Sequence, residues 1–446
     1  MKNKISFWTF IIALGGFLFG FDTAVISGGE KEIQQYWDLS STEHGFTMSI
    51  ALIGTVIGAL IGGFPSDKLG RKKTLYIVAG LYLFASILTA MATNWSIFIL
   101  FRFLGGMGVG ISSIVGPIYI SELAPAHKRG KMVGMFQFNI VLGILCAYIS
   151  NYLLIDTGEG AWRWMLGVMA IPSLLFIVLI YFLPESPRWI FLNNGNVEAV
   201  KNILKQVSPE SYQQDLKSIQ LSANKNNGTN VSLFQKQYAR PILLAFLFAA
   251  FNQLAGINAI IYYAPRVFEL AGLGAESSML STIGIGTVNF IFTLLAINLI
   301  DKYGRRTLML IGSFGLIICL SLVSLAFFSL ESGTGSLMAD GHVIAVLLML
   351  FIAFFAFSQG AVIWVFISEI FPNEVRAKGQ TLGSLTHWVF AAIITFIFPI
   401  LTEQIGGGIT FLIFTSCMIL QLLYTWKLMP ETKGKTLESM DTTTLH

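Results

Sequence analysis

The sequence predicts an all-α protein that crosses a membrane many times. The chain is 54% hydrophobic and only 12% charged, and its mean hydropathy is +0.71. Its apolar residues also fall into long blocks, each near the roughly 20 residues that a helix needs to span a bilayer. A transmembrane β-barrel is excluded, because barrel strands alternate apolar and polar residues and leave no such blocks.

Length and hydropathy give about twelve blocks. They centre near Leu18, Ile57, Leu83, Gly108, Leu142, Ser173, Ala250, Thr287, Ile318, Phe354, Ile393 and Met418. The first, Ile5 to Ser27, leads at once into the second with no cleavage site before a polar chain, so it is expected to be a retained helix. It carries one acid, Asp22, within GGFLFGFDTAVISGG. A mid-membrane carboxylate costs on the order of 3 kcal/mol and is kept only with a partner or a task. The expected partner is Arg102, a cation inside the apolar run FILFRFLGGMGVGI. The pair reads either as a static tie between two helices or as a proton or substrate switch.

Lys and Arg set the orientation. Lys2 and Lys4 precede block 1, Lys68 to Lys73 follow block 2, and Lys128, Arg129 and Lys131 follow block 4. Arg305 and Arg306 follow block 8, Arg376 and Lys378 follow block 10, and Lys433 and Lys435 follow block 12. The alternate loops hold only Lys31, Arg163 and Arg266. Both termini are therefore expected on the cytoplasmic side. The polar stretch 186–237 then lies on that side as well. Its Val197–Val207 pattern predicts a short surface helix, and its tip, 222–230, is polar.

The halves repeat. Asp67-Lys68-Leu69-Gly70-Arg71-Lys72 after block 2 matches Asp301-Lys302-Tyr303-Gly304-Arg305-Arg306 after block 8. Glu122 and Arg129 after block 4 match Glu369 and Arg376 after block 10 at the same spacing. Pro184-Glu185-Ser186 closes block 6, and Pro430-Glu431-Thr432 closes block 12. Gly70 and Gly304 supply the backbone freedom of a tight turn. Asp67, Arg71, Glu122, Arg129 and Glu185 are expected to form one cytoplasmic lattice, and Asp301, Arg305, Glu369, Arg376 and Glu431 its partner. Each lattice is either passive loop chemistry or a latch that closes the cytoplasmic side. Parallel repeats place a binding site between the halves near the midplane. Cys146, Cys319 and Cys417 lie singly in apolar blocks and read as packing residues. No metal or cofactor site is expected, and nucleophile and phosphate-loop motifs are absent.

Taken together, PESPR (184–188), PETKG (430–434), the paired GRK/GRR turns and QLAGINAIIYYAP (253–265) resemble the sugar porter family of the major facilitator superfamily. The resemblance covers essentially the whole chain. It implies twelve transmembrane helices in two pseudo-symmetric six-helix halves. Residues 1–185 and 238–430 would be the halves, 186–237 a linker of short helices, and 431–446 a cytoplasmic tail. It also suggests sugar-contacting positions at Phe19, Gln137, Asn252, Gln253, Asn258, Tyr262, Asn289, Gly360, Trp364 and His387. Amides both donate and accept, which suits neighbouring hydroxyls. They also tie helices together in membrane bundles, so that reading stays open. Three positions depart from the family pattern. Asn252 stands where a second Gln is usual, Ala361 follows Gly360 where Pro is usual, and His387 replaces an amide. These changes leave the preferred sugar open, pentose or hexose.

Resemblance to the proton symporters includes an acid at Asp22 and an Arg at Arg102, whereas facilitative carriers of the family lack the acid. A nearby guanidinium favours a carboxylate's charged form, and an apolar surround favours its protonated form. Alternation between the two would couple proton to sugar. The expectation is a proton-coupled monosaccharide importer in a bacterial cytoplasmic membrane. Its partners would be a sugar, protons and the bilayer, with no nucleic acid and a monomeric chain. A facilitative uniporter is the alternative. A sugar sensor is disfavoured by the short tail, a drug–proton antiporter by the block 5 sequence, and an enzyme by the missing motifs.

Overall fold

The structure is a computed structural model. It describes residues 2–125, 128–209, 211–225, 231–333, 340–372 and 374–433. In chain order the helices are α1 (Lys2–Tyr36), α2 (Ser41–Ile61), α3 (Gly63–Leu69), α4 (Arg71–Ala90), α5 (Trp95–Leu123) and α6 (Arg129–Leu154). Then come α7 (Ala161–Gly167), α8 (Ala170–Ile180), α9 (Pro187–Asn194), α10 (Val197–Val207) and α11 (Tyr212–Lys225). The rest are α12 (Ala239–Leu254), α13 (Ile257–Leu270), α14 (Ala275–Tyr303), α15 (Arg305–Glu331), α16 (Gly341–Phe355), α17 (Ala361–Glu369) and α18 (Arg376–Lys427).

Eleven helical stretches among the described residues are long and apolar enough to cross a membrane. The last of them, α18, has 52 residues and breaks at Gly406, where φ is 79°. At 1.5 Å per residue an unbroken helix of that length spans about 78 Å, more than twice a hydrocarbon core of about 30 Å. It therefore supplies two crossings, which makes the expected twelve. The sequence boundary of α1 is too short: the helix runs nine residues past Ser27 through GGEKEIQQY. Glu, Lys and Gln are good helix formers, and Glu30 and Ile33 on this extension are buried.

The chain groups into two compact units. The first comprises Met1–Asp22, Gly54–Ile144 and Leu166–Asn230; the second comprises Thr23–Ile53, Leu145–Met165 and Val231–His446. In the first unit α4 lies along α5, and the predicted surface helix is α10, which packs Val200 and Leu204 on Leu216 of α11. Residues 226–230 of the predicted tip lie outside the described residues. In the second unit α12 packs through Phe248 against Phe366 of α17, ring centroids 5.3 Å apart. The Tyr424 hydroxyl of α18 donates to the Leu244 carbonyl at 3.0 Å.

Two predicted spans are interrupted. Block 7 is split into α12 and α13 by Gly256, and block 10 carries a π turn at 356–360 between α16 and α17. Broken helices at membrane depth free backbone groups for polar chemistry, and are tolerated where protein or a cavity covers them.

Candidate functional site

Arg102 of α5 donates from Nη1 to Asp22 Oδ1 of α1 at 2.8 Å, both side chains being buried. Gly105 on the same helix leaves space beside the carboxylate: a Cβ there would lie 3.8 Å from Asp22 Oδ1. The other guanidinium nitrogens, Nε and Nη2, are buried without a hydrogen-bond partner among the described residues. A guanidinium offers five N–H donors, so this one is only partly satisfied.

Amides gather around the α12–α13 break. Gln253 Nε2 donates to Asn252 Oδ1 at 2.9 Å and lies 3.2 Å from each ring nitrogen of His387. Asn258 Nδ2 donates to Gln253 Oε1 at 2.6 Å, and Asn252 Nδ2 to the Gln359 carbonyl at 3.2 Å. Trp364 packs on His387 with centroids 5.0 Å apart. Tyr262 is buried on α13, and Gly360 closes the π turn. Asn289 Oδ1 of α14 accepts from Thr293 Oγ1 at 3.5 Å. Phe19 and Gln137 belong to the first unit; Phe19 is buried. The sequence reading missed Gln359 and Gln421, whose side chains meet at 2.8 Å in the apolar interior of the second unit. An amide beside Gly360 inside an apolar block was the available signal.

The charged turns form two lattices that match atom by atom. Arg71 grips Glu122 with two hydrogen bonds of 2.9 and 3.0 Å and reaches Asp67 at 3.0 Å and the Ser66 carbonyl at 2.8 Å. Arg305 grips Glu369 at 3.1 and 2.9 Å and reaches Asp301 and the Ile300 carbonyl, each at 3.2 Å. Glu185 accepts the Arg71 N–H at 2.9 Å, and Glu431 accepts that of Arg305 at 2.9 Å. Each glutamate thus caps a helix N-terminus, where free N–H groups and the helix dipole favour an anion. Gly70 (φ 96°) and Gly304 (φ 87°) make the turns. A Cβ at either would fall within 2.7 Å of the capping carboxylate. Ser186 and Thr432 complete the match, each donating to the lattice glutamate at 2.6 Å.

The Arg376 guanidinium turns instead to the Phe371 carbonyl at 3.2 Å. Among the described residues it pairs with neither Glu369 nor Glu431. The Arg129 side chain lies outside the described residues. Burial pushes the Glu185 carboxyl above the ordinary carboxylate range, against the N–H donors of Ser186, Lys72 and Arg71. Burial also acts to raise Glu431, but there the N–H groups of Lys433, Arg305, Arg306 and Thr432 outweigh it and hold the carboxyl low.

Twelve crossings, a buried acid–arginine pair, an amide cluster at broken helices and duplicated charged turns define a polytopic membrane transporter. The chain matches the sugar (and other) transporter family over residues 8–443, and it belongs to that family. It is 39% identical over 443 residues to a putative metabolite transport protein of Bacillus subtilis, covering 99% of this chain and 95% of that one. It is 36% identical to the glucose transporter GlcP of Staphylococcus epidermidis, covering 96% and 95%. It is 35% identical to the D-xylose-proton symporter of Escherichia coli, covering 97% and 94%. Among solved structures, the inward-open xylose transporter XylE of Escherichia coli superposes with a TM-score of 0.85 at 34% identity, over 98% of each chain.

Proposed function

We propose that the chain is a proton-coupled monosaccharide importer that works by alternating access. Asp22 and Arg102 are its coupling pair. The observation that carries the reading is the buried 2.8 Å contact between Asp22 and a partly satisfied Arg102, in a family with members named as xylose-proton and arabinose-proton symporters. An arginine with unused donors can exchange partners at low cost. When it moves away, the carboxylate is left buried without its counter-ion and takes a proton; when it returns, the proton leaves. One proton moving down about 100 mV supplies roughly 2.3 kcal/mol, or about a fiftyfold sugar gradient.

The amide group around Gln253, with Phe19 and Gln137, is the proposed sugar site. Trp364 offers an aromatic face to the C–H side of a pyranose. The lattices at Arg71 and Arg305 are the proposed cytoplasmic latch, opening as residues 1–185 move against 238–430. Both termini then face the cytoplasm of a bacterial inner membrane, and the working unit is a monomer. The test is uptake of radiolabelled xylose and glucose into proteoliposomes. The proposal expects accumulation above equilibrium only with an inward proton gradient. Equal uptake with and without the gradient would make the chain a uniporter and Asp22–Arg102 a structural tie.

A further inference from the structure

We propose that Glu30 and His44 form a second proton-binding site, distinct from Asp22, in which protonated His44 and Arg266 compete for one buried carboxylate. The site lies wholly within the second unit and goes beyond the sugar:proton reading. Glu30 is 2% exposed and His44 0%. His44 Nε2 lies 2.7 Å from Glu30 Oε2, and Arg266 Nε donates to Glu30 Oε1 at 2.8 Å. Arg266 also donates to Gln34. Three helices, α1, α2 and α13, therefore meet on one carboxylate. A cavity of about 390 Å³, lined by Lys31, Gln34, Gln35, Arg266, Glu269 and Leu270, opens onto Arg266. Glu30 and His44 lie behind that arginine.

His44 Nδ1 is buried without a hydrogen-bond partner among the described residues. A neutral imidazole has one donor and one acceptor nitrogen. With Nε2–H donating to Glu30, Nδ1 presents a bare lone pair next to an ion pair, ready to take a proton. While His44 is neutral, Glu30 and Arg266 balance. A proton on His44 leaves two cations on one buried anion, and the surplus is relieved when Arg266 swings out toward the cavity. If Arg266 left while His44 was neutral, Glu30 would be a buried unpaired charge, which is strongly disfavoured. Proton binding and Arg266 release therefore favour one another by linkage.

The surrounding charges leave this balance intact. Lys31 of α1 and Glu269 of α13 neutralise each other at 2.5 Å. Glu32 of α1 accepts the Trp162 N–H at 3.3 Å, and Glu43 of α2 is held by Ser40 at 2.7 Å. From α13 come Tyr262 and Tyr263; the Tyr263 ring lies edge-on to His44 at 5.9 Å, and its hydroxyl donates to the Thr395 carbonyl. At Gly45 α18 presents Phe396 and Pro399, both uncharged. The expected orientation places this end outside the cell, so acid outside would loosen α13 from α1.

The test is the ring-nitrogen NMR spectrum of the full chain in nanodiscs, labelled with 15N-histidine, between about pH 5 and pH 8.5, the range in which histidine changes charge. The His44 signal is the one lost in His44→Gln; should that variant fail to fold, it is the one displaced in Glu30→Gln. The expected signal passes from neutral to doubly protonated ring in this range, in wild type and Asp22→Asn alike. Arg266→Gln, which leaves His44 as the single partner of Glu30, raises the protonated fraction at about pH 7.5 at least threefold. A His44 ring that stays in one state throughout overturns the proposal, as does a titration indifferent to Arg266→Gln. This readout needs no sugar, so it stands or falls apart from the transport reading.

Discussion

Arg71 holds two carboxylates of opposite burial, and this makes a sharp prediction. The Glu122 side chain is 8% exposed and bonds the guanidinium twice. The Asp67 side chain is 77% exposed and bonds it once. Glu122→Gln keeps the shape and one acceptor oxygen but removes the charge, and leaves a buried arginine short of a counter-ion. Removing one partner of a buried pair costs about 3–5 kcal/mol; the retained oxygen brings the expectation to about 2 kcal/mol, since a charge-assisted hydrogen bond contributes roughly 1.5–3 kcal/mol. Asp67→Asn disturbs a solvent-screened pair four residues apart and should cost about 0.5 kcal/mol or less. The assay is the thermal unfolding midpoint of the purified chain in one detergent at low and moderate salt. Glu122→Gln should fall several degrees below wild type at both salts, while Asp67→Asn stays within about one degree. An equal shift for the two variants would refute the claim that burial sets the strength of this lattice.

Three further outcomes are expected. Gly304→Ala must hold φ near 87° with its Cβ 2.6 Å from Glu431; strain of about 1–3 kcal/mol should lower the same midpoint, and an unchanged midpoint would contradict the turn geometry. Gln253→Ala removes contacts to Asn252, Asn258 and His387 and should raise the KM for sugar exchange by about tenfold or more, the equivalent of losing about 1.4 kcal/mol of binding; an unchanged KM would remove Gln253 from the sugar site. Glu431 has its carboxyl held low, so its contribution to stability is present above the ordinary carboxylate range and is lost as pH falls through the lowered value. Glu185 is raised, so its ionised form carries a cost at neutral pH and its contribution favours the fold only on the acid side. Glu431→Gln should therefore destabilise more than Glu185→Gln at pH near 7, and the reverse order in thermal midpoints would overturn both assignments.

The two charged lattices were legible because charged turns are exceptions in so apolar a chain, and their repetition ruled out chance. Their atomic arrangement follows the sequence pairing down to Ser186 and Thr432. Arg376 shows the limit: equal spacing from Glu369 did not bring its side chain into the lattice, because the Phe371 carbonyl lies within reach. Glu30 was hidden for another reason. Hydropathy ends the first block at Ser27, and the polar residues beyond read as a loop, yet the helix continues to Tyr36 and buries Glu30 against α2 and α13. Burial of a polar residue by tertiary packing leaves no mark in hydropathy. The same holds for Gln359 and Gln421, where Gln359 Nε2 donates to Gln421 Oε1 across the interior of the second unit.

In the proposed mechanism Asp22 carries the coupled proton. Its most direct test is sugar-induced proton movement in de-energised proteoliposomes, read with an external pH electrode for wild type and Asp22→Asn. Xylose or glucose should alkalinise the medium around wild type, whereas Asp22→Asn should exchange the same sugar with no proton signal. Proton uptake that persists in Asp22→Asn, at a rate matching its sugar entry, would contradict it.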